Sequence, residues 1–380
     1  MSLRLLQSLD EVPAADWDAL HDGGNPFVSH AFLCGLERHA CLKPRWGWAP
    51  RHAAWFDGDR MVAAAPAYLK GNSHGEFVFD HAWAHAYSRY GLEYYPKWLV
   101  AVPYSPIPGP RLLSCDAGSR QALAEALRER SDADGLSSVH VNFLPESELD
   151  AFDDRWLARS DIQFHWRNDA GWQDFEEFLG AFTSRKRKNL RAEREQVRRA
   201  GVGFRRVHGD EASAEDLATM HEFYCMTQTE KGNQPALTLE FLRHLATTMP
   251  RQLLLVLAER EGRTIAGALF LRGGDTLHGR YWGASDPLPG LHFETCYYQG
   301  IEYCLAEGLH RFEPGAQGEH KIARGFLPTL THSRHHVAEP GFADAIRDWC
   351  EQERQSVLRY RDQVLEHSPF RDPLADPARP

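Results

Sequence analysis

The sequence predicts an α/β protein, α+β in arrangement, built as two domains that are each a mixed, mainly antiparallel sheet flanked by helices. Three observations carry that prediction. The chain has 380 residues, beyond the size at which one hydrophobic core usually keeps growing. Residues 252–285 hold three consecutive apolar runs, "QLLLVLAER", "TIAGALFLRG" and "TLHGRYWGAS". Glu261-Gly262-Arg263 and Gly273-Gly274-Asp275 separate them, as tight turns separate neighbouring strands. Segments with helical spacing stand on both sides, so strands and helices share each domain.

The first domain covers residues 1–165. "RHAAWF" and "RMVAAAPAYLK" flank Asp57-Gly58-Asp59 and read as a hairpin. "SRQALAEALRER" is helical by its Ala/Leu spacing, and Val139, Val141 and Phe143 of "SSVHVNFL" alternate as a strand does. Between them, residues 79–113 are too aromatic for a loose linker and too rich in proline for a regular element. The second domain covers residues 166–367. A helix over 185–200 leads to the strand "VGFRRV" and a helix over about 214–231, which Ser213 and Asp216 open as a capping box. "LTLEFLRHLATTM" is a further helix, and the three strands follow. A helix over 292–307 ends at Gly308, a residue suited to a C-cap. A strand over 310–313 and a helix over 342–365 complete the order. Residues 368–380, rich in Pro and Asp, read as a flexible tail.

Composition narrows the class. Apolar residues make up 43% and aromatics 11%, enough to bury sizeable cores, and the net charge is −10. An acidic total argues against coating nucleic acid in bulk but leaves room for a local basic patch. The seven cysteines are scattered and never spaced C-x-x-C, so free thiols in a reducing compartment are expected rather than a disulfide scaffold or zinc ribbon. The first residues lack a basic n-region followed by an apolar run. No apolar stretch approaches the ~20 residues a bilayer span needs. The expectation is a cytoplasmic protein.

The order helix, helix, three antiparallel strands, helix, strand resembles the GNAT acyltransferase fold, and the first half offers a degraded version of it. The block "FDHAWAHAYSRYGLEYYPKWLVAVPYSPIPGPRLL" resembles the signature of the FemAB-like family, bacterial proteins labelled for peptidoglycan biosynthesis or recognition. "SRKRKNLRAEREQVRRAGV", "GRYWGASD" and "EHKIARGF" extend the resemblance over roughly residues 5 to 365. The resemblance implies tandem GNAT-like domains around a cleft, 1–165 degenerate and on the acceptor side, 166–367 carrying the acyltransferase site. Related Fem enzymes move amino acids from aminoacyl-tRNA to peptidoglycan precursors, whereas ordinary GNAT enzymes use acyl-CoA. Either donor is therefore expected as a co-substrate, with no tightly bound cofactor.

Four constellations could carry that chemistry. The donor loop Ser285-Asp286-Pro287-Leu288-Pro289-Gly290 has one glycine, two prolines without N–H groups and an aspartate, a departure from the backbone cradle that CoA pyrophosphate needs. Arg185, Lys186, Arg187, Lys188 and Arg191 open a basic helix whose stripe suits a polyanion such as a tRNA acceptor stem, with a solvated face as the plainer reading. In the aromatic block, Asp80, His85, Tyr90 and Lys97 are candidates for an acceptor pocket, and its tyrosines and tryptophans serve equally well as core. The stretch "GLHRFEPGAQGEHKIARGF" offers Glu313, Glu319 and His320 as bases, and Lys321 and Arg324 as cations for an oxyanion or donor phosphate. The resemblance places a lysine of a similar block near the donor, and Lys321 is the matching position. Tyr281 is a candidate proton donor to the leaving group or a packing residue.

His332, His335 and His336 with His320 do not make a metal site on this reading, because twenty histidines bring such clusters together by chance. The sequence thus predicts an acyl- or aminoacyltransferase that forms an amide on an amine-bearing small molecule or peptide. A non-catalytic binding protein of the same fold and an acetyl-CoA-dependent N-acetyltransferase are the rivals. Oligomeric state is not legible.

Overall fold

A computed structural model describes residues 1–371 except 287 and 317. The chain divides into two compact units. The first comprises Met1–Ile162 and Leu330–Tyr360, and the second Gln163–Thr329 together with the segment from Arg361 onward.

The first unit opens with β1 (Ser2–Leu6), α1 (Ala14–Asp18) and α2 (His30–Arg38). The short strands β2 (Ala49–Pro50), β3 (His52–Asp57), β4 (Arg60–Ala65) and β5 (Ala67–Lys70) follow. Then come α3 (His81–Arg89), β6 (Lys97–Val100), α4 (Ala117–Ala133), β7 (Ser138–Leu144) and β8 (Leu157–Arg167), which crosses into the second unit. That unit holds α5 (Phe175–Gly180), α6 (Ser184–Arg199), β9 (Gly203–His208), α7 (Ala214–Glu230) and α8 (Leu239–Thr248). The hairpin strands β10 (Leu253–Arg260), β11 (Arg263–Gly273) and β12 (Thr276–Ala284) come next. One helical rod then runs as α9 (Leu291–Phe293), a π-helical turn (Glu294–Tyr298) and α10 (Gln299–Ala306), and β13 (Arg311–Glu313) follows it. The chain returns through β14 (Leu327–Val337) and ends in α11 (Pro340–Glu366).

Each unit contains a sheet with a single internal parallel pair. In the first, the order is β2-β5-β6-β7-β14, with β6 and β7 parallel and the other neighbours antiparallel. A separate antiparallel sheet, β1-β3-β4, accompanies it. In the second, the order is β8-β13-β12-β11-β10-β9, and the parallel pair is β12 with β13. A parallel pair needs a crossover; α4 supplies it in one unit and the α9–α10 rod in the other. The same device therefore occurs twice in the chain.

Local chemistry sets the elements the sequence predicted. Ser213 caps α7 and Asp216 returns the bond, so the capping box is formed. Gly308 takes φ +66°, and Leu309 N–H bonds the carbonyl of Cys304, which closes α10. The first-unit core gathers Trp98, Val100, Leu123, Leu127, Val139 and Val141. In the second unit, Val197 of α6, Ala258, Ile265 and Leu291 pack together.

Four expectations need correction. Residues 79–113 contain α3 and β6 rather than no regular element. β8 and β14 have no counterpart in the predicted order, although they are each 11 residues long. Residues 330–360, expected in the second domain, belong to the first unit, and the segment from 361 returns to the second. The expected flexible tail begins in ordered structure: Phe370 is buried, stacks on Trp172 and packs against Phe182, because a benzyl group gains more from that cluster than from water. Residues 372–380 of that tail lie outside the described residues.

The approach of α7 to β12 is close enough to exclude any side chain at Gly283, where a Cβ would collide with the carbonyl oxygen of Phe223. Backbone cannot yield as a side-chain tip can. Gly283→Ala should lower the unfolding free energy by about 1–3 kcal/mol, read from urea denaturation; an unchanged midpoint would show that α7 sits farther from the strand.

Candidate functional site

The residues of the second unit that converge do so where β12 and β13 part. Their parallel pairing covers Thr276–His278 against Arg311–Glu313. Pro314, which has no N–H, and Gly315 at φ +95° then end β13. On the other strand, Leu269 faces Tyr281 while Phe270 faces Gly279, so Arg280 is the extra residue of a β-bulge. His278 and Glu313 are left side by side and buried, with His278 Nδ1 donating to Glu313 Oε2 at 3.1 Å. Burial opposes a charge on Glu313, but His278, His165 and the Arg280 guanidinium hold its carboxyl down at about 2. Burial in turn keeps His278 below its ordinary value and pushes His165 down to about 4. Glu313 is a fixed carboxylate in a dry place.

The turn Glu319–Arg324 closes over this strand end. It stops at Gly325, φ +88°, where a Cβ would stand 2.9 Å from Phe178 Cζ. Lys321 points inward and is 2% exposed, its Nζ donating to the carbonyls of Gly315 at 2.7 Å and Ala316 at 3.1 Å. No carboxylate pairs with it among the described residues. Burial, with Arg280 adding repulsion, pushes its pKa down to about 7, so at neutral pH the amine holds a proton only part of the time. His320 turns the other way. It is exposed, its Nε2 lies 2.9 Å from Tyr297 OH, and Phe293 and Tyr297 pack beside its ring. Partial burial, Arg324 and Lys321 lower its pKa, which leaves a neutral imidazole able to take a proton.

The other predicted residues of this loop have different roles. Arg324 is buried, binds Glu193 of α6 through both carboxylate oxygens at 2.7 and 2.9 Å, and donates to the His320 carbonyl at 2.6 Å. It clamps the turn to the helix, with both terminal nitrogens engaged. Glu319 is exposed. Tyr281 packs edge-on against Tyr224, ring centroids 4.8 Å apart.

The basic helix splits into two halves. Towards its C-terminal end, Arg194 pairs with Glu294 and Glu302, and Arg198 and Arg199 pair with Glu195. Arg191 reaches Glu176 at 2.5 Å. Arg185, Lys186, Arg187 and Lys188 form no ion pair among the described residues, and they stand at the helix N-terminus, where the dipole disfavours cations. Thr183, the N-cap, contributes no side-chain bond. In the donor loop, Asp286 is neutralised by Arg260 at 2.5 Å, and Pro287 lies outside the described residues.

In the first unit, the four acceptor candidates do not form one pocket. Asp80 and Lys97 are both buried and joined in an ion pair, with Glu76 Oε2 2.8 Å from Lys97 Nζ. Ser73 and Tyr94 donate to Asp80 at 2.5 and 2.6 Å, and Tyr94 OH continues to His140, which touches His335 at 2.6 Å between ring nitrogens. This is a closed, hydrogen-bonded core of charge. His85 and Tyr90 lie on the exposed side of α3 and just past it. His336 pairs with Asp132 at 2.8 Å.

Sequence reasoning missed His278, Arg280, His165, Tyr297 and Glu193. Two of these had a signal: His278 and Arg280 lie beside Tyr281 on a strand read correctly, and an arginine inside an apolar strand asks for a partner.

Comparison with known proteins adds the family. The sequence matches the FemAB-like family, described as peptidoglycan biosynthesis/recognition, over residues 8–372. The chain belongs to this family. No curated protein matches it. Among solved structures, this FemAB-like chain is similar to FemX, with TM-score 0.52 and 13% identity over 91% of this chain and 100% of that one. A conserved protein of unknown function from Bacteroides thetaiotaomicron VPI-5482 gives 0.50 and 11% over 89% and 100%. L-PGS from Bacillus licheniformis gives 0.50 and 11% over 79% and 88%. At such identities the likeness is one of fold: mixed α/β with mainly antiparallel sheet flanked by helices. No described helix is long and apolar enough to cross a membrane.

If Asp80 and Lys97 are core rather than ligand-binding groups, Lys97→Met should leave a buried carboxylate unmatched and cost about 3–5 kcal/mol in urea unfolding. A loss below about 1 kcal/mol, typical of an exposed pair, would return Lys97 to the list of binding residues.

Proposed function

We propose that the second unit is an acyl- or aminoacyltransferase that forms an amide on an amine-bearing acceptor. The observation that carries this reading is a buried carboxylate and a buried amine where β12 and β13 part, with an accessible imidazole on the residue next to the amine. Amide formation needs the acceptor amine deprotonated and the oxyanion of the tetrahedral intermediate stabilised. His320 is the base in this scheme, because its imidazole is neutral and accessible. Glu313, held as a carboxylate with a pKa of about 2, is too weak a base and instead fixes the His278 tautomer and the local field. The acceptor nitrogen attacks the donor carbonyl and passes its proton to His320. Lys321, when protonated, has a third N–H beyond the two given to the Gly315 and Ala316 carbonyls, and that N–H is the candidate donor to the developing oxyanion. The intermediate then collapses, the ester or thioester bond breaks, and the leaving group takes a proton, with Tyr281 the candidate donor.

For the donor, the geometry favours aminoacyl-tRNA over acyl-CoA. Arg185, Lys186, Arg187 and Lys188 at the start of α6, which form no ion pair among the described residues, suit a phosphate backbone. The loop before the α9–α10 rod offers an aspartate, and prolines without N–H groups, where pyrophosphate would need donors. The family description supports a peptidoglycan precursor as acceptor. It also names recognition, so a binding-only protein is the second reading.

The test incubates the protein with aminoacyl-tRNA or acyl-CoA and an amine-bearing cell-wall precursor, and follows amide formation by mass spectrometry. Turnover with aminoacyl-tRNA is expected. His320→Ala should lower kcat by about 10²–10⁴-fold, and the acid limb of kcat/KM should fall below pH 6.5, the ordinary histidine value, since a base must be unprotonated to act. Binding of the precursor with no product from either donor would favour the recognition reading instead.

A further inference from the structure

The parallel strand pair occurs twice, and a cavity lies past the end of its first-unit copy. β6 pairs with β7 only at Trp98–Val100 against Val139–Val141, and β7 runs on to Leu144. Just past that pairing, β14 skips a step: His332 faces Leu144 and Arg334 faces Val141, so Ser333 opposes both Asn142 and Phe143. This bulge holds Phe143 at φ +60°. Phe77, on the facing segment, takes φ +64°. A bulky aromatic residue in the left-handed region is an outlier, and such strain persists where the surrounding structure imposes it, commonly at ligand sites. Both rings line one cavity of about 50 Å³ with Phe79, Arg159, Asp161 and His332.

The polar lining shows what the cavity would accept. Arg159 is spoken for: Nε and Nη2 grip Glu353 at 2.7 and 2.9 Å, and Nη1 donates to the Phe79 carbonyl at 2.9 Å. That pair is neutral as a unit, which leaves Asp161 as the unbalanced charge in the wall. Asp161 is exposed to solvent and accepts from the neighbouring Ile162 N–H at 2.8 Å. Enough protein surrounds it that burial pushes its carboxyl pKa up. Among the described residues His332 Nε2 has no hydrogen-bond partner, Glu146 standing 3.7 Å away, and burial keeps the ring below its ordinary pKa and neutral. A carboxylate, a neutral imidazole nitrogen and aromatic rings around a space of a few atoms suit a primary ammonium on a short alkyl stem, since ring faces attract cations.

We propose that this first-unit cavity, walled by Phe77, Phe79, Phe143, Asp161 and His332, is a binding site for the ammonium end of an alkylamine. Its role as a holding site for the acceptor rests on the transferase reading above; its ligand chemistry does not.

Because binding needs no donor, it is tested without turnover. The full chain is titrated with n-propylammonium, and with 1-propanol as the neutral isostere, and the perturbed amide resonances are followed by NMR. Propylammonium should shift resonances around Phe143 and His332 with a saturable curve, and 1-propanol should not. Asp161→Asn should weaken binding about tenfold or more, the worth of a charged hydrogen bond, while Lys321→Ala leaves it unchanged. His332→Asn, which retains a small polar group, should weaken it less. Equal response to both probes, no saturation, or an Asp161→Asn variant that binds as the parent does would each overturn the proposal. None of these outcomes bears on amide synthesis, and loss of amide synthesis would not bear on them.

Discussion

The geometry of the second unit depends on how briefly β12 and β13 stay together. Three paired residues bring His278 against Glu313, and the bulge at Arg280 together with Pro314 then forces the strands apart. Everything that could act chemically hangs from that parting. The carboxylate is fixed by neighbours it cannot leave, and the turn Glu319–Arg324 drops Lys321 beside the carbonyls of Gly315 and Ala316. Glu193 holds the turn from outside through Arg324 and also takes the Tyr298 hydroxyl at 2.5 Å, so the π-helical turn, the basic helix and the loop share one anion. A buried amine with no carboxylate partner costs stability.

The first unit repeats the topology with a different distribution of charge. Its ionisable residues are mostly spent on structure: Lys97 pairs with Asp80 and Glu76, and Tyr94 links Asp80 to His140 in the interior. Such a network fixes one arrangement of α3 against the sheet, because any slip would strand a charge. The exception is the small cavity past the β6–β7 pairing, where Asp161 forms no ion pair among the described residues. Among the described residues the two units thus differ in the charge left without an ion-pair partner, the Lys321 amine in one and the Asp161 carboxylate in the other.

Much of the fold was legible because hydropathy and turn chemistry agreed. The β10–β12 hairpins, the capping box of Ser213 and Asp216 and the stop at Gly308 are all local signals. β14 was illegible for an equally physical reason: its inward positions are Thr331, Ser333, His335 and Val337, so three of the buried side chains are polar and hydropathy does not alternate. Ser333 and His335 are affordable inside because they bond each other at 2.9 Å and His335 reaches His140. The same blindness moved residues 330–360 to the wrong domain. At the site, Lys321, Glu313 and His320 could be found from ionisable residues beside a Pro-Gly turn. Their partners could not, since His165 and Glu193 arrive from distant segments. Asp80 and Lys97 misled because a buried ion pair and a polar ligand pocket use the same residue types.

The chemistry proposed for the second unit depends on Lys321 being a buried amine that is only partly protonated near neutrality. The direct measurement is a ¹³C NMR titration of lysine ε-carbons in the wild type and in Lys321→Met. Lys70, buried over the Trp48 ring and pushed down to about 7 by desolvation, serves as an internal reference. Two resonances should titrate with midpoints near pH 7, one of them absent from the variant. A Lys321 resonance that stays charged until pH 10 or above would contradict the account, because it would place the amine in water or against a carboxylate.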